Sequence, residues 1–308
     1  MGVTTKELPS ALCLEESLCG WLFSNICNWL LTSVISLPSQ ISVSLSSSLQ
    51  TEADTEKYRD LRALLQLLAN LCSKDLVDFS SDSLETHGTN ISQVVHMGLH
   101  MVNPLITLEM LKYPKLCHDY FSLLSYLLEV YPEMVSQLSS ESFAHVIGTL
   151  DYGLHHQDIE VVDMCLRSLK ALASYHYKET GAGKAGLGSH ATVYKDRDGN
   201  CQEGILNQFL RSLMKFLLFE DYSTDLVSTA AEALLPLILC EQGLYQRLCN
   251  ELIERQSNPT FRLRLTNALQ SLTNSNHLSS TLDRTNYQKF RKNLHNFLIE
   301  VRGFLRTI

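Results

Sequence analysis

The sequence predicts an all-α fold, a HEAT-like α-solenoid in which antiparallel helix pairs stack side by side. Leucine makes up about 18% of the chain, whereas glycine and proline are scarce at 14 and 7 of 308 residues. Apolar residues recur at intervals of three and four along most of the chain, which is typical of amphipathic helices. Alternation with period two, the mark of a strand, is not sustained over six residues outside the loops. An all-β chain is therefore excluded.

Residues 1–50 are predicted to hold an N-terminal helix followed by a serine-rich linker. Residues 18–37 form a run of 20 residues without a charge, which is long enough to cross a membrane. Asn25, Asn28 and several hydroxyl side chains interrupt this run, and no basic residues flank it. We interpret it as a buried helix of a soluble protein and expect no membrane insertion. A membrane-anchored helical protein is the alternative.

Residues 51–308 are predicted to form the HEAT-like repeats, with a glycine-rich loop at about residues 178–202. Apolar stripes begin near residues 61, 91, 116, 143, 162, 206, 227, 261 and 287. The stripe that begins at residue 227 is taken to continue through residues 244–253. Asn258 followed by Pro259 predicts a helix start, and Asp283 can cap the last helix.

The helices group into pairs with a repeating spacing. The first helices of two pairs begin near Ser92 and Glu141, and their partners begin near Leu116 and Asp158, which gives spacings of 49 and 42 residues. HEAT and armadillo repeats have a similar length. One pair cannot cover its own apolar stripe, so pairs stack into a continuous core. The resulting surface suits an extended protein partner better than a small substrate.

Charge and cysteine content exclude two further classes. The net charge is -8, so the chain lacks the basic footprint that binding to nucleic acid phosphates requires. The nine cysteines are dispersed, and none shows CxxC spacing. A disulfide scaffold would be shorter and richer in cysteine. We expect free, buried thiols and a reducing compartment.

The glycine-rich loop contains a weak nucleotide-binding pattern. Gly181, Gly183 and Gly186 match GxGxxG, but a helical segment precedes them and no βαβ pattern surrounds them. Lys184 is followed by alanine where a P-loop needs serine or threonine. We therefore expect a flexible surface loop.

Two segments resemble metal sites only in part. Residues 196–200 (DRDGN) begin like a calcium loop, but its positions six and twelve are Cys201 and Asn207. His96 and His100 have the spacing of zinc ligands, but the HExxH glutamate is missing and no third ligand is evident. We expect no metal and no cofactor.

Catalysis has no support in the sequence. No GxSxG elbow is present, and no cysteine has the setting of a nucleophile. Adjacent acids at helix starts complement the helix dipole and do not by themselves indicate acid–base chemistry. We predict that the chain is not an enzyme.

The distribution of charge suggests contact residues for a protein partner. Residues 281–308 carry a net charge of +4, and the rest of the chain carries -12. On the last helix, a basic face formed by Arg284, Lys289, Arg291 and Lys292 could contact an acidic partner. Near the start of an earlier helix, Asp158, Glu160 and Asp163 could attract basic cargo. Ordinary solvated helix faces are the alternative interpretation for both sets.

Several stretches resemble one family in their order and spacing. They are residues 58–61 (YRDL), 64–71 (LLQLLANL), 73–80 (SKDLVDFS), 103–105 (NPL), 111–120 (LKYPKLCHDY), 131–133 (YPE) and 280–284 (STLDR). Over residues 55–308 they resemble the C-terminal part of the exportin-4 family of nuclear transport receptors, in the importin-β (karyopherin) superfamily. The glycine-rich loop looks longer than in animal members, which favours a plant-type sequence.

The resemblance implies a binding function without catalysis. Members are long HEAT-repeat solenoids that bind protein cargo together with the GTP form of the GTPase Ran and carry it through the nuclear pore. The implied partners are Ran-GTP, mainly through repeats that this chain lacks, protein cargo and nuclear pore proteins. The implied location is the nucleus and the cytoplasm, with shuttling between them. We expect the chain to be the C-terminal portion of a longer receptor. A generic helical-repeat scaffold outside transport is the alternative.

Overall fold

The computed structural model describes residues 58–78, 98–191, 194–195, 201–202, 204–273 and 281–305. These residues confirm the all-α class, since helices packed against one another form most of the core. The chain divides into two compact units, residues 1–123 and residues 124–308. The predicted N-terminal helix and linker, including residues 18–37, lie outside the described residues.

The first unit is built around helix α1 (Arg59–Asp78), a helix that ends at residue 102, and the start of helix α2 (Pro114–Val130). The 3-10 turns Asn103–Leu105 and Met110–Lys112 join the last two elements. A Cβ at Gly98 would come within 2.5 Å of the Leu68 side chain, so glycine permits the close approach to α1. The Arg62 Nε donates to Asp119 Oδ2 at 2.7 Å, which links α1 to α2.

The second unit contains the end of α2 and helices α3 to α10. Their bounds are α3 (Pro132–Ser136), α4 (Ser140–Leu154), α5 (Ile159–Gly181), α6 (Ile205–Phe219), α7 (Leu226–Cys240), α8 (Gln242–Glu254), α9 (Pro259–Thr273) and α10 (Arg284–Leu305). Between α5 and α6 lie the 3-10 turn Gly188–His190 and a small antiparallel pair, β1 (Tyr194–Lys195) with β2 (Cys201–Gln202). In this pair Tyr194 faces Gln202, and Lys195 faces Cys201.

Consecutive helices form the repeating pairs. Helix α4 packs on α5, α6 on α7, and α9 on α10. A short connection between packed neighbours gives the antiparallel arrangement of an αα-hairpin, as between α4 and α5. The second helices of the pairs then pack in succession, α5 on α7 and α7 on α10. This stacking confirms the solenoid prediction.

Helix α7 is the centre of the second unit. It packs against α5, α6, α8 and α10, and none of its residues is exposed. Its one charged residue is Glu232, and Pro236 lies inside the helix. Because proline has no N–H, the backbone carbonyl of Glu232 lacks its usual helical donor. A helix that is apolar on nearly all sides is a core helix.

Three predicted helix starts are confirmed by their capping bonds. Asp158 Oδ1 accepts from the Glu160 N–H at 2.9 Å at the start of α5. Asn258 Oδ1 accepts from the Thr260 N–H at 2.9 Å at the start of α9, where Pro259 takes the first helical position. Asp283 Oδ1 accepts from the Asn286 N–H at 2.8 Å at the start of α10. Each bond satisfies a donor that the helix itself leaves free.

The repeat spacing changes after residue 181. The second helices begin at residues 159, 226 and 284, so they are 67 and 58 residues apart rather than the 42 expected from the first pairs. The glycine-rich loop lengthens the first interval, and α8 lengthens the second. The stripe expected to continue from residue 227 to residue 253 is interrupted at Glu241, where α7 and α8 meet at 109°.

The described part of the glycine-rich loop is held to the helices around it. Helix α5 extends to Gly181, and Gly183, Gly186 and Gly188 adopt positive φ angles. The Leu187 N–H donates to His176 Nδ1 at 3.1 Å. The GxGxxG match is therefore a helix C-terminus followed by turns, without the strand–turn–helix context of a dinucleotide site. Residues 182–191 form turns that contact the helices around them.

His190 attaches the same loop to residues just after α3 and at the start of α4. Its Nε2 lies 3.1 Å from the carbonyl oxygen of Leu138, and its ring stacks on Phe143 with 4.1 Å between ring centroids. Residues 196–200 of the calcium-like segment lie outside the described residues, and so does His96. Within the described ranges, no group of three or more His, Cys, Asp or Glu side chains could hold a metal ion.

No single described helix is long and apolar enough to cross a bilayer. Among the described helices, only the sharply bent pair of α7 and α8 has the length and composition of a membrane span when the two are taken together.

We predict that the interface between α5 and α7 requires small side chains. Thr229, Ala233 and Cys240 lie on one face of α7, and the first and last of them bond to α5. Ala233→Leu should lower the free energy of unfolding by about 1–3 kcal/mol because the fully buried site has no room for the added carbons. Urea unfolding measures this change. The same substitution at the exposed Ala144 is the control and should stay within about 0.5 kcal/mol.

We predict that acid loosens the loop at Leu187. Burial lowers the pKa of His176, so its neutral form is favoured in the folded state and accepts the Leu187 N–H. This contribution is present above the ordinary histidine pKa of about 6.5 and is lost as the pH falls below it. As the pH falls from 7 to 5, the protection of the Leu187 amide against hydrogen exchange, relative to the intrinsic rate at each pH, should therefore decrease.

The variant His176→Gln is the control for this effect because it keeps an acceptor that does not titrate. Its exchange at Leu187 should follow the intrinsic pH dependence. An equal loss of protection in the wild type and in this variant would contradict the role of His176.

Candidate partner-binding surface

The second helices of the three pairs bring five charged side chains together. We call this group the charge ladder; it consists of Asp163, Arg167, Lys170, Glu232 and Arg291. Helix α5 supplies the first three residues, α7 supplies Glu232, and α10 supplies Arg291. The ladder therefore crosses all three stacked helices.

Glu232 is the centre of the charge ladder. Its Oε2 accepts from Lys170 Nζ at 2.5 Å, and its Oε1 accepts from Arg291 Nη2. Burial alone would raise the pKa of Glu232, but the hydrogen bonds and charges of Lys170 and Arg291 outweigh burial and lower it. The carboxylate is therefore ionised at neutral pH and bound from both sides.

Asp163 forms a second link between α5 and α7. Its Oδ2 lies 2.9 Å from Arg167 Nε, and its Oδ1 accepts from Thr229 Oγ1 at 2.6 Å. On the other side of Lys170, the Ser174 and Tyr287 hydroxyl oxygens lie 3.3 Å apart, which links α5 directly to α10. The ladder is thus part of a polar network that extends along α5.

An open cleft of about 520 Å³ lies beside the ladder. Its polar lining includes Glu129, Arg167, Lys170, Lys178 and Tyr287. Burial raises the pKa of Glu129, and the charges of Arg167 and Lys170 oppose this rise. Three cations face one carboxylate across the cleft, and Lys178 is exposed and forms no ion pair with the described part of the chain. The cleft can therefore accept an acidic side chain of a partner.

The structure brings only two of the seven predicted contact residues together. Asp163 and Arg291 belong to the charge ladder, where Glu232 and Thr229 of α7 connect them. Asp158 caps α5, and Glu160 is exposed in its first turn. The other three, Arg284, Lys289 and Lys292, are exposed on α10. Asp163 forms an ion pair with Arg167, which offsets its charge.

Sequence reasoning missed Lys170 and Arg167 as members of the surface. A signal was present, because Asp163, Arg167, Lys170 and Ser174 recur at intervals of four, three and four directly beside the apolar stripe of α5. Such spacing places polar side chains on one helix face. The partners of Lys170 and Asp163 on α7 are 62 and 66 residues away in sequence, and the partner of Ser174 on α10 is 113 residues away. No local pattern indicates these contacts.

We predict that Glu232→Gln destabilises the second unit. The substitution leaves Lys170 and Arg291 partly buried without their shared anion, and the free energy of unfolding should fall by about 1 kcal/mol after allowance for solvent screening. Since the pKa of Glu232 is lowered in the folded state, its contribution is lost as the pH falls through the folded value. The difference from the wild type should shrink below about pH 4, where Glu232 takes up a proton.

Urea titrations at pH 7 and at acid pH measure both effects. Glu254→Gln, which changes an exposed carboxylate on α8, is the matched control and should change little at either pH. A loss of stability for Glu232→Gln that does not depend on pH would show that its charge is not the cause.

Comparison with known proteins matches this architecture to one family. A family model described as Exportin-4 matches residues 19–307. Exportin-4 of Dictyostelium discoideum is 27% identical over 269 residues, which cover 86% of this chain and 21% of that protein. Exportin-7-B and Exportin-7-A of Xenopus laevis are each 22% identical over 205 residues, covering 65% of this chain and 18% of theirs. The chain spans about a fifth of these curated relatives, and it belongs to the exportin-4 family.

Proposed function

We propose that this chain is a protein-binding segment of a nuclear export receptor. It binds protein cargo in a manner coupled to Ran-GTP, and the receptor shuttles between nucleus and cytoplasm through contacts with nuclear pore proteins. The observation that carries the proposal is the polar face that crosses the second helices α5, α7 and α10, combined with membership of the exportin-4 family. Binding and release, without covalent chemistry, are what this face supports.

Geometry favours recognition over a broad surface. The charge ladder and the cleft beside it draw side chains from α5, α7 and α10 and from the end of α2. Such a set of helices presents many shallow contacts and a few half-buried charges, as protein interfaces do. If cargo binding is coupled to Ran binding, each event changes the binding free energy of the other by about 1–3 kcal/mol.

We propose that the exposed cations of α10 are the first contacts with an acidic partner. Lys289 and Lys292 lie three residues apart on one exposed face, and Arg284 is exposed in the first turn. Asp158 and Glu160 would contact basic groups of the same partner at the start of α5. Asp163 and Arg291 act within the ladder, where they position the neighbouring helices.

The experiment is a pull-down from nuclear extract with the immobilised full-length receptor that contains this chain, and with added Ran. Ran is loaded either with a non-hydrolysable GTP analogue or with GDP, and retained proteins are identified and quantified by mass spectrometry. Under the transport proposal, a set of proteins is retained with the GTP form and is several-fold depleted with the GDP form. Retention that is the same with either nucleotide or without Ran favours the generic scaffold.

We predict that charge reversal on α10 weakens this retention. The double variant Lys289→Glu with Lys292→Glu should reduce cargo retention several-fold at low salt, and the difference should narrow as salt screens the charges. Both side chains are exposed, so the fold should persist. Lys115→Glu with Arg247→Glu makes the same charge change at exposed positions elsewhere and is the control. Equal losses in both double variants would contradict a specific role for α10.

A further inference from the structure

An uncharged cleft of about 500 Å³ lies between α8 and α9, with α7 and α10 beneath it. None of its lining residues is charged, although charged residues make up 19% of the chain. The floor includes Leu235 and Ile238 of α7 and Phe290 of α10, all buried. The volume lies within the range of small-molecule and peptide pockets. It is a different surface from the charge ladder, since the two share no lining residue.

The walls of this cleft carry amides at regular intervals. Gln242, Gln246 and Asn250 recur every four residues on α8, so they lie on one face of that helix. Gln270 lines the opposite wall, on α9. These four side-chain amides form no hydrogen bond within the described part of the chain. Four amides with their donors and acceptors free therefore converge on one apolar floor.

A buried hydroxyl adds a second polar feature to the floor. Tyr245 is 6% exposed, and its hydroxyl has no partner at hydrogen-bond geometry. Burial raises the pKa of Tyr245 well above its usual range, with Cys249 and Thr273 close to its oxygen. Burial also raises the pKa of Cys249 to about 11, so its thiol is uncharged at neutral pH. Both groups keep the cleft uncharged at neutral pH.

The spacing of the amides matches an extended peptide backbone. Residues four apart on a helix are about 6 Å apart along its axis. Backbone groups on the same side of an extended chain recur every two residues, or about 6.7 Å. A side-chain amide has both a donor and an acceptor, which are the two groups that a peptide unit needs. The eight helical steps from Gln242 to Asn250 span about 12 Å, the length of about four extended residues.

We propose that this cleft binds an extended, uncharged segment of a partner protein. Gln242, Gln246 and Asn250 pair with its backbone, and alternate apolar side chains of the segment point to the floor of Leu235, Ile238 and Phe290. A charged segment would lose its hydration without an opposite charge to compensate, so the neutral lining selects against it. This proposal does not depend on the transport proposal, because it states only which kind of peptide segment the cleft binds.

The test uses the full chain and an array of end-blocked pentapeptides, Ser-X-Thr-Z-Ser, in which X and Z run through all encoded residues. Members with aliphatic or aromatic X and Z should be retained, and members with Lys, Arg, Asp or Glu there should not. The best member is then titrated in solution by thermophoresis of the labelled protein. A copy with N-methylated peptide bonds should bind at least about tenfold more weakly, because it has lost backbone donors.

Two double variants distinguish the loss of the amides from a loss of the fold. Gln246→Met with Asn250→Leu keeps the side-chain volume and removes both amides, and it should weaken binding of the best peptide at least about tenfold. Arg247→Met with Glu251→Leu changes exposed residues on the same helix outside the cleft and should leave binding unchanged. Thermal unfolding of each variant verifies that α8 is retained.

Three results would overturn the proposal. The first is retention of no peptide, and the second is a preference for charged X and Z. The third is binding that appears only after residues 274–280 are replaced by a glycine–serine linker, because the occupant would then belong to this chain. Loss of Ran-dependent retention leaves the peptide result standing, so the two proposals fail separately.

Discussion

The second unit depends on how α7 is packed between α5 and α10. No residue of α7 is exposed, so the helix exists only as part of the stack that buries it. Its one carboxylate, Glu232, cannot reach bulk water fully and is bound instead by Lys170 and Arg291 from the two neighbouring helices. Removal of one partner from such a group costs more than its formation contributed, because the remaining charge is left partly desolvated. The ladder thus ties the apolar core to the polar face.

The same packing creates two surfaces of opposite character. On one surface the polar edges of α5, α7 and α10 form the charge ladder and a cleft rich in cations. On the other, α8 and α9 enclose an uncharged cleft with amides along its walls. The second cleft exists because α8 turns through 109° at Glu241 and leaves the axis of α7. An added helix between two repeats has therefore produced a surface that a regular array of pairs would lack.

Much of the helical fold could be predicted because local signals and burial agree. The apolar stripes predicted α4, α5, α6 and α7, and the capping residues Asp158, Asn258 and Asp283 predicted where three helices begin. The break at Glu241 was not predicted, because the apolar spacing of Leu237, Cys240 and Leu244 continues across it although Gly243 follows closely. Of the candidate site, Asp163 and Arg291 were named from charge alone. Lys170 and Thr229 were not, since their partners on the neighbouring helix lie far away in sequence.

The sequence by itself determined the helical class, the family and the polarity of each helix face, because these follow from side-chain spacing and from the order of short segments along the chain. The tertiary structure alone decided which charges neutralise one another and which amides stay free. Pairing of Lys170 with Glu232 and of Glu232 with Arg291 requires three helices to stack in one register, and that register is set by the packing of their apolar sides. Local sequence patterns do not indicate the distances between residues that lie about sixty positions apart in the chain.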